Sequence, residues 1–267
     1  MKTRCIMRKM IILIFFLINT FLSVNAQYST LNAHAHNDYY NDPPFWLAYS
    51  NCFGSIEADI WVTGKELLVA HHKSEINPER TLDSLYIRPS VKVLRQNGGK
   101  PWTDPTSTFQ LLIDLKTASE PALSMLIEKL KDYPDVFDPF INETAIRIVI
   151  TGNRPEPSEF SKYPDFVFFD GMIDRSYDEQ QLKRIALFSE NLRKFTSWNG
   201  EGSIPESDEI TIRKVVDSVH ALNKKIRFWN APDVVNAWNT LINLGVDYIN
   251  TDKIIELSEY LNSQRKN

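Results

Sequence analysis

Eight short apolar runs of β type recur along this chain, most of them separated by segments with helical spacing. The runs are Tyr28–Ala35, Ser55–Val62, Phe109–Leu115, Ala145–Thr151, Phe166–Asp170, Ile185–Ser189, Lys225–Trp229 and Asp247–Asn250. Glu120–Tyr133 carries Leu123, Leu126, Ile127 and Leu130 on one helical stripe. Ser207–Asn223 opens on an expected N-cap, Ser207, and shows Ile210, Val215, Val216 and Val219 as its apolar face. Pro232–Leu244 ends at Gly245. Such an alternation predicts an α/β fold, a single (β/α)8 TIM barrel.

The first residues are expected to stand outside that barrel. Lys2, Arg4, Arg8 and Lys9 precede an apolar run, Ile11 to Leu22, and a small-residue site, Val24-Asn25-Ala26. This is the pattern of a secretory signal peptide over residues 1–26, and it predicts a secreted or periplasmic protein. The apolar run is shorter than the ~20 residues a spanning helix needs. The barrel domain is then 27–267, or 267 − 26 = 241 residues. The leader holds four basic residues and no acidic ones, so the formal charge moves from −4 to −4 − 4 = −8. An acidic chain without a Lys/Arg cluster argues against nucleic acid as a partner. No later run is long enough to span a bilayer, so no stable membrane insertion is expected, and a monomer is expected. Cys52 is the one cysteine left after the leader and reads as a small packed hydrophobe.

In a parallel barrel the C-terminal ends of the strands form the active face, and the polar residues fall there. Glu57 and Asp59 lie two apart in Ser55–Val62, so alternation puts both carboxylates on one face. Asp114 and Lys116 close the third run on a shared face. Like charges on a buried strand are costly unless a cation or proton lies between them. Oxygen-only ligation by Glu57, Asp59 and Asp114 suits a hard divalent cation, Mg2+ or Ca2+, rather than zinc. His36 and His71 flank this trio in sequence and are the acid/base candidates. His34 shares a face with His36, and spacing leaves the choice between them open. Lys116 offers a fixed positive charge for a phosphoryl oxygen or a plain ion pair with its neighbours. Asn37, Trp229 and Asn230 are candidate substrate-binding residues. The aromatic group Tyr39, Tyr40, Phe45 and Trp46 reads as core for the first helix.

Taken in order, these pieces resemble a known superfamily. His36, Glu57-Ala58-Asp59, Leu68-Val69-Ala70-His71, Leu112-Ile113-Asp114-Leu115-Lys116, Arg227-Phe228-Trp229-Asn230 and Gly245 to Asp252 are similar to the glycerophosphodiester phosphodiesterase / phosphatidylinositol phospholipase C-like superfamily. The His-Asn-Asp-Tyr start, His36 to Tyr39, resembles its secreted bacterial branch. The resemblance implies a TIM barrel, His36 and His71 as catalytic pair, Glu57, Asp59 and Asp114 as ligands of the divalent cation, and Lys116 as a catalytic lysine beside the phosphate. It implies a phosphoric diester hydrolase acting on a glycerophosphodiester- or phospholipid-type substrate. Departures exist. The His-Arg-Gly start of glycerophosphodiesterases is His36-Asn37-Asp38 here, so its arginine is missing. Pro43-Pro44-Phe45-Trp46 stands where a Pro-Glu-Asn-Thr segment supplies a ligand glutamate, and His72 stands where an aspartate follows the second histidine. The three-carboxylate set is closer to the sphingomyelinase D-like branch. A catalytically silent barrel that binds a phosphate ligand and a phosphomonoesterase are the alternative readings.

Overall fold

The computed structural model describes residues 28–103 and 108–264. The expected leader over 1–26 lies outside the described residues. Nine strands form one sheet. They are β1 (Ala33–Ala35), β2 (Ser55–Thr63), β3 (Glu66–Val69), β4 (Gln110–Leu115), β5 (Arg147–Gly152), β6 (Val167–Gly171), β7 (Ile185–Asn191), β8 (Lys225–Trp229) and β9 (Ile249–Thr251). Eight of them run parallel in the order β8-β7-β6-β5-β4-β2-β1-β9. A parallel bridge between Arg227 and Tyr248 brings the two ends together, and the Tyr248 amide donates to the Ile226 carbonyl at 3.2 Å. The result is a nearly closed barrel.

The helices are α1 (Trp46–Ser50), α2 (Arg88–Gln96), α3 (Ser119–Leu130), α4 (Pro134–Phe137), α5 (Glu179–Arg184), α6 (Glu206–Ala221), α7 (Val235–Asn243) and α8 (Ile254–Gln264). α3 buries Ala122, Leu123, Leu126, Ile127 and Leu130, the stripe that its spacing predicts. It stops at Leu130, and Pro134 opens α4. α6 differs from expectation at both its cap and its face. It begins at Glu206 without a side-chain cap, and the Ser207 hydroxyl turns to Asp208 instead. Its buried stripe is Ile212, Val216 and Val219, while Ile210 is exposed. Among the described residues, no helix is long and apolar enough to cross a membrane.

Two strand expectations were too long and one strand was not foreseen. Residues Thr30–Asn32 form a 3-10 turn, leaving β1 only three residues. β9 starts at Ile249, because the Asp247 carboxylate caps the Ile226 amide at 2.9 Å. β3 pairs antiparallel with β2 across a two-residue turn, Thr63 facing Glu66. Gly64 provides the positive φ (61°) such a hairpin needs.

Parallel strands are covered on both faces, which is why they read as continuous apolar runs. The larger core lies between strands and helices, with Ile113, Ile148 and Ile150 packed in one cluster with Leu123 and Leu126 of α3. A second, small cluster of Leu112, Val149, Leu187 and Tyr248 fills the barrel interior. Two residues further along the same strands the interior changes character. Leu112 gives way to Asp114, Val149 to Thr151, and Leu187 to Ser189. The barrel is therefore apolar below and polar at its C-terminal mouth.

The aromatic segment after β1 divides. Phe45 is fully buried, as expected of core, and it packs on Tyr49, Tyr86 and Phe109. Tyr40 is exposed. The ring of Tyr39 is buried, but its hydroxyl belongs to the polar mouth, which the core assignment missed. Cys52 is half-buried, and burial pushes its thiol up, away from nucleophilic character.

Asp38 is wholly buried beneath this segment, accepting from the Phe45 amide at 2.6 Å and the Tyr86 hydroxyl at 2.9 Å. Burial pushes its carboxyl up to about 6, against the pull of those two donors. The folded state thus holds the proton more tightly than the unfolded chain, where the value is 3.8. This contribution is present in full below about 3.8 and is lost as pH rises through about 6. Asp38→Asn is expected to remove about 2–3 kcal/mol of the stability decline across that window. Urea titrations of both proteins between those pH values check it, and equal pH slopes would refute it.

Candidate active site

The floor of the mouth is a buried ionic cluster. His34 is 0% exposed, with Nδ1 2.7 Å from Ser55 Oγ and Nε2 2.8 Å from Glu57 Oε2. Arg227 donates from Nη1 to Glu57 Oε2 at 2.9 Å and from Nε to Ser189 at 3.0 Å. Burial, and then the Arg227 charge, lower the His34 imidazole to about 3, so it is neutral. Burial alone would raise Glu57, but its bond to His34 and the Arg227 guanidinium hold it well below the usual carboxylate range. Both ring nitrogens of His34 are engaged. His36 instead lines the open cavity with a quarter of its side chain exposed. Of the two histidines that alternation placed on one face, His36 is thus the one open to the cavity.

Asp59 and Asp114 stand directly opposite one another in the β2–β4 register. Oxygens of Glu57, Asp59 and Asp114 lie within 4.8 Å of one another. Asp59 is fully buried, and its Oδ2 receives Tyr39 Oη at 2.8 Å, His71 Nδ1 at 2.8 Å and Lys116 Nζ at 2.9 Å. Its Oδ1 is buried without a hydrogen-bond partner among the described residues. Burial and then the Glu57 charge raise Asp59. Burial and then Asp59 push Asp114 up to about 6. Gly152, at φ +68°, lies against this carboxylate, and a Cβ there would fall 2.0 Å from Asp114 Oδ1. An all-oxygen trio in which Asp59 and Asp114 are raised, and in which a buried Asp59 oxygen has no partner among the described residues, fits a hard divalent cation. The residues present match the group their pattern predicts.

The histidines flank the trio, each anchored through Nδ1. His36 Nδ1 is 2.8 Å from Asp252 Oδ1 and 2.9 Å from Asn37 Nδ2. Burial pulls this imidazole down, but the Asp252 bond and the Glu57 charge outweigh it, and the net shift is upward. His71 Nδ1 rests on Asp59. With Nδ1 held, Nε2 is the nitrogen each ring has left for the cavity that both line. Lys116 bridges Asp59 and Asp114, at 2.9 and 3.3 Å. Burial lowers its ammonium, but those two carboxylates raise it more, so it is charged.

The cavity is about 800 Å3, large enough for a small-molecule ester or a lipid head group. Asn37, Trp229 and Asn230 line it together with His36, His71, Glu57, Asp114 and Lys116, and Asp59 lies just beneath. Asn37 also ties its amide to its neighbours, and Asn230 donates to Asn191 at 3.2 Å. Neither His72 nor His220 lines the cavity: the His72 ring packs edge-on against His71 at 4.5 Å, and His220 pairs with Asp247. Sequence reasoning did not single out Arg227, Asp170 and Arg154, which line the cavity, or the Tyr39 hydroxyl on Asp59. Arg227 was within reach, since it precedes Trp229 by two residues and shares its face.

Fold and site together define a barrel of the glycerophosphodiesterase and phospholipase C-like class. The model of the AIM6-like phosphodiesterase domain matches residues 23–170, and that of the glycerophosphoryl diester phosphodiesterase family matches 225–255. The first covers more than half of the chain, which therefore belongs to the AIM6-like phosphodiesterase domain family. Altered inheritance of mitochondria protein 6 of Eremothecium gossypii is 27% identical over 266 residues, covering 85% of this chain and 68% of that protein. The protein of that name from Saccharomyces cerevisiae strain S288c is 25% identical over 283 residues, covering 89% and 73%. Among solved structures, a glycerophosphodiester phosphodiesterase from Parabacteroides distasonis superposes with a TM-score of 0.55 at 14% identity. That superposition covers 88% of this chain and 98% of the other, and the shared feature is the fold.

Proposed function

We propose that this domain is a divalent-cation-dependent phosphodiesterase that cleaves a glycerophosphodiester- or phospholipid-type ester with His36 and His71 as acid and base. The observation that carries this reading is the pair of Nδ1-anchored imidazoles on either side of a carboxylate trio whose buried Asp59 Oδ1 has no partner. When bound by Glu57, Asp59 and Asp114, Mg2+ or Ca2+ supplies positive charge for a non-bridging phosphate oxygen. Lys116 adds a fixed charge on the same side.

The partners of the two imidazoles support a division of roles. Asp252 is largely exposed and pairs with no other cation among the described residues, so its charge supports a proton on His36. His36 is the general base, taking the proton of the attacking hydroxyl, whether that of water or of the substrate itself. Asp59 divides its Oδ2 between His71 and Lys116 and anchors the His71 ring through Nδ1. His71 is the general acid, giving its proton to the leaving oxygen. Trp229 and Asn230 line the substrate's path at the rim. Export through the leader would place this activity in the periplasm or outside the cell.

The purified protein is expected to hydrolyse bis(p-nitrophenyl) phosphate in Mg2+ or Ca2+ and to lose that activity in chelator. Faster turnover of p-nitrophenyl phosphate would make it a monoesterase. A cation-dependent rise in melting temperature without turnover across a panel of diesters would make it a binding barrel. Either result overturns the proposal.

A further inference from the structure

The His-Asn-Asp-Tyr segment holds two side chains for which the acid–base scheme has no use. Tyr39 is 2% exposed. Its hydroxyl oxygen lies 2.5 Å from Asn37 Oδ1, 2.8 Å from Asp59 Oδ2 and 3.2 Å from His71 Nδ1. Asn37 reaches His36 Nδ1 with its other amide atom at 2.9 Å. Asn37 adopts the left-handed conformation, φ 48° and ψ 37°, which asparagine tolerates better than most residues. That turn places the Asn37 and Tyr39 side chains together between the histidines. The Arg80 guanidinium binds the Tyr39 carbonyl and fixes the segment from the other side.

We infer that Tyr39 is a positioning residue: its hydroxyl donates to Asp59 and so holds Asp59 and His71 in their working orientation, and, with the Asn37 amide turned so that its NH2 donates to the Tyr39 oxygen and its carbonyl accepts from His36 Nδ1, it joins the two histidine arms into one hydrogen-bonded unit. Asp59 Oδ2 faces three donors, from Tyr39, His71 and Lys116. A carboxylate oxygen offers about two lone-pair sites, so Oδ2 is fully engaged and Oδ1 is the oxygen left for a cation. Without the tyrosine hydroxyl, Oδ2 is held only by the flexible Lys116 chain and by His71 itself, so the carboxylate and the His71 ring can turn together. Partners of this outer kind are worth about 10–100-fold in metal affinity or activity.

The inference builds on the proposed phosphodiesterase chemistry but is testable without it. Tyr39→Phe keeps the buried ring and removes only the oxygen. The Mg2+ or Ca2+ concentration giving half the maximal rise in melting temperature is expected to increase about 10–100-fold. On bis(p-nitrophenyl) phosphate, kcat is expected to fall by a similar factor with KM changed less than about 3-fold. The His71 imidazole resonances should move, while Tyr40→Phe, whose hydroxyl binds Glu75 on the surface, leaves all of these unchanged. Should Tyr39→Phe fail to fold, Asn37→Ala is expected to shift the His36 and His71 resonances together. A folded Tyr39→Phe with cation response and kcat within about 2-fold of the parent makes the hydroxyl a merely satisfied buried phenol, and so does an Asn37→Ala that moves neither histidine. A parent that responds to the cation but turns over no diester refutes the proposed activity alone, and the cation titration still decides the role of Tyr39.

Discussion

Alanine at His36 or at His71 is expected to lower phosphodiester turnover by about 10²–10⁴-fold, the usual worth of a positioned proton donor or acceptor. Both rings reach solvent in the cavity, with side chains 26% and 36% exposed. Neither is a packing element, so the melting temperature should hold while the rate collapses. The pH profile separates the two. A base must be neutral to act, so the rate carried by His36 falls as pH drops through its raised value. Asp252→Asn removes the carboxylate that most favours the charged ring and is expected to move this acidic limb to lower pH. Full activity in either alanine variant would end the acid–base scheme. An acidic limb unmoved in Asp252→Asn would end the assignment of His36 as base.

Much of this arrangement was readable before any coordinates. Alternating runs and helical stripes are local patterns, and local patterns report which way a side chain faces. That was enough to predict the barrel and to put Glu57 with Asp59, and Asp114 with Lys116, on shared faces. Register is different, because it comes from pairings between strands far apart in sequence. Nothing within β2 or β4 says that Asp59 stands opposite Asp114, or that Arg227 of β8 crosses the barrel to Glu57. The same limit left His34 and His36 unresolved, since one turn of pleat decides which is buried under the carboxylates. Tyr39 was misread for another reason. A phenol has an apolar ring and a polar tip, and burial of the ring is compatible with a hydroxyl that works in the site.

Arg227→Met is expected to be among the most destabilising single changes in this protein. Arg227 and Glu57 are both almost wholly buried, and their 2.9 Å pair is the main positive charge offsetting a carboxylate deep in the barrel. Breaking such a pair from one side leaves the other ion buried and uncompensated, at a cost of about 3–5 kcal/mol. For a domain of this size that is a fall in melting temperature of roughly 6–20 °C. His34 takes over only in part, because burial, the larger cause of its neutrality, persists when the Arg227 charge is gone. Glu57 would then relieve itself by holding a proton. Its folded-state value would lie above its unfolded one, and the variant would lose further stability as pH rises through that value. A divalent cation in the adjacent trio restores positive charge beside Glu57, so Mg2+ or Ca2+ should return part of the loss, and more of it at pH 7.5 than at pH 5. Thermal melts with and without the cation at both pH values check the whole chain of reasoning. A variant melting within about 2 °C of the parent would show that Glu57 does not depend on this arginine. In the intact protein, Arg227 and His34 keep Glu57 ionised, so the proposed cation-binding role would find this carboxylate already charged and already held in place.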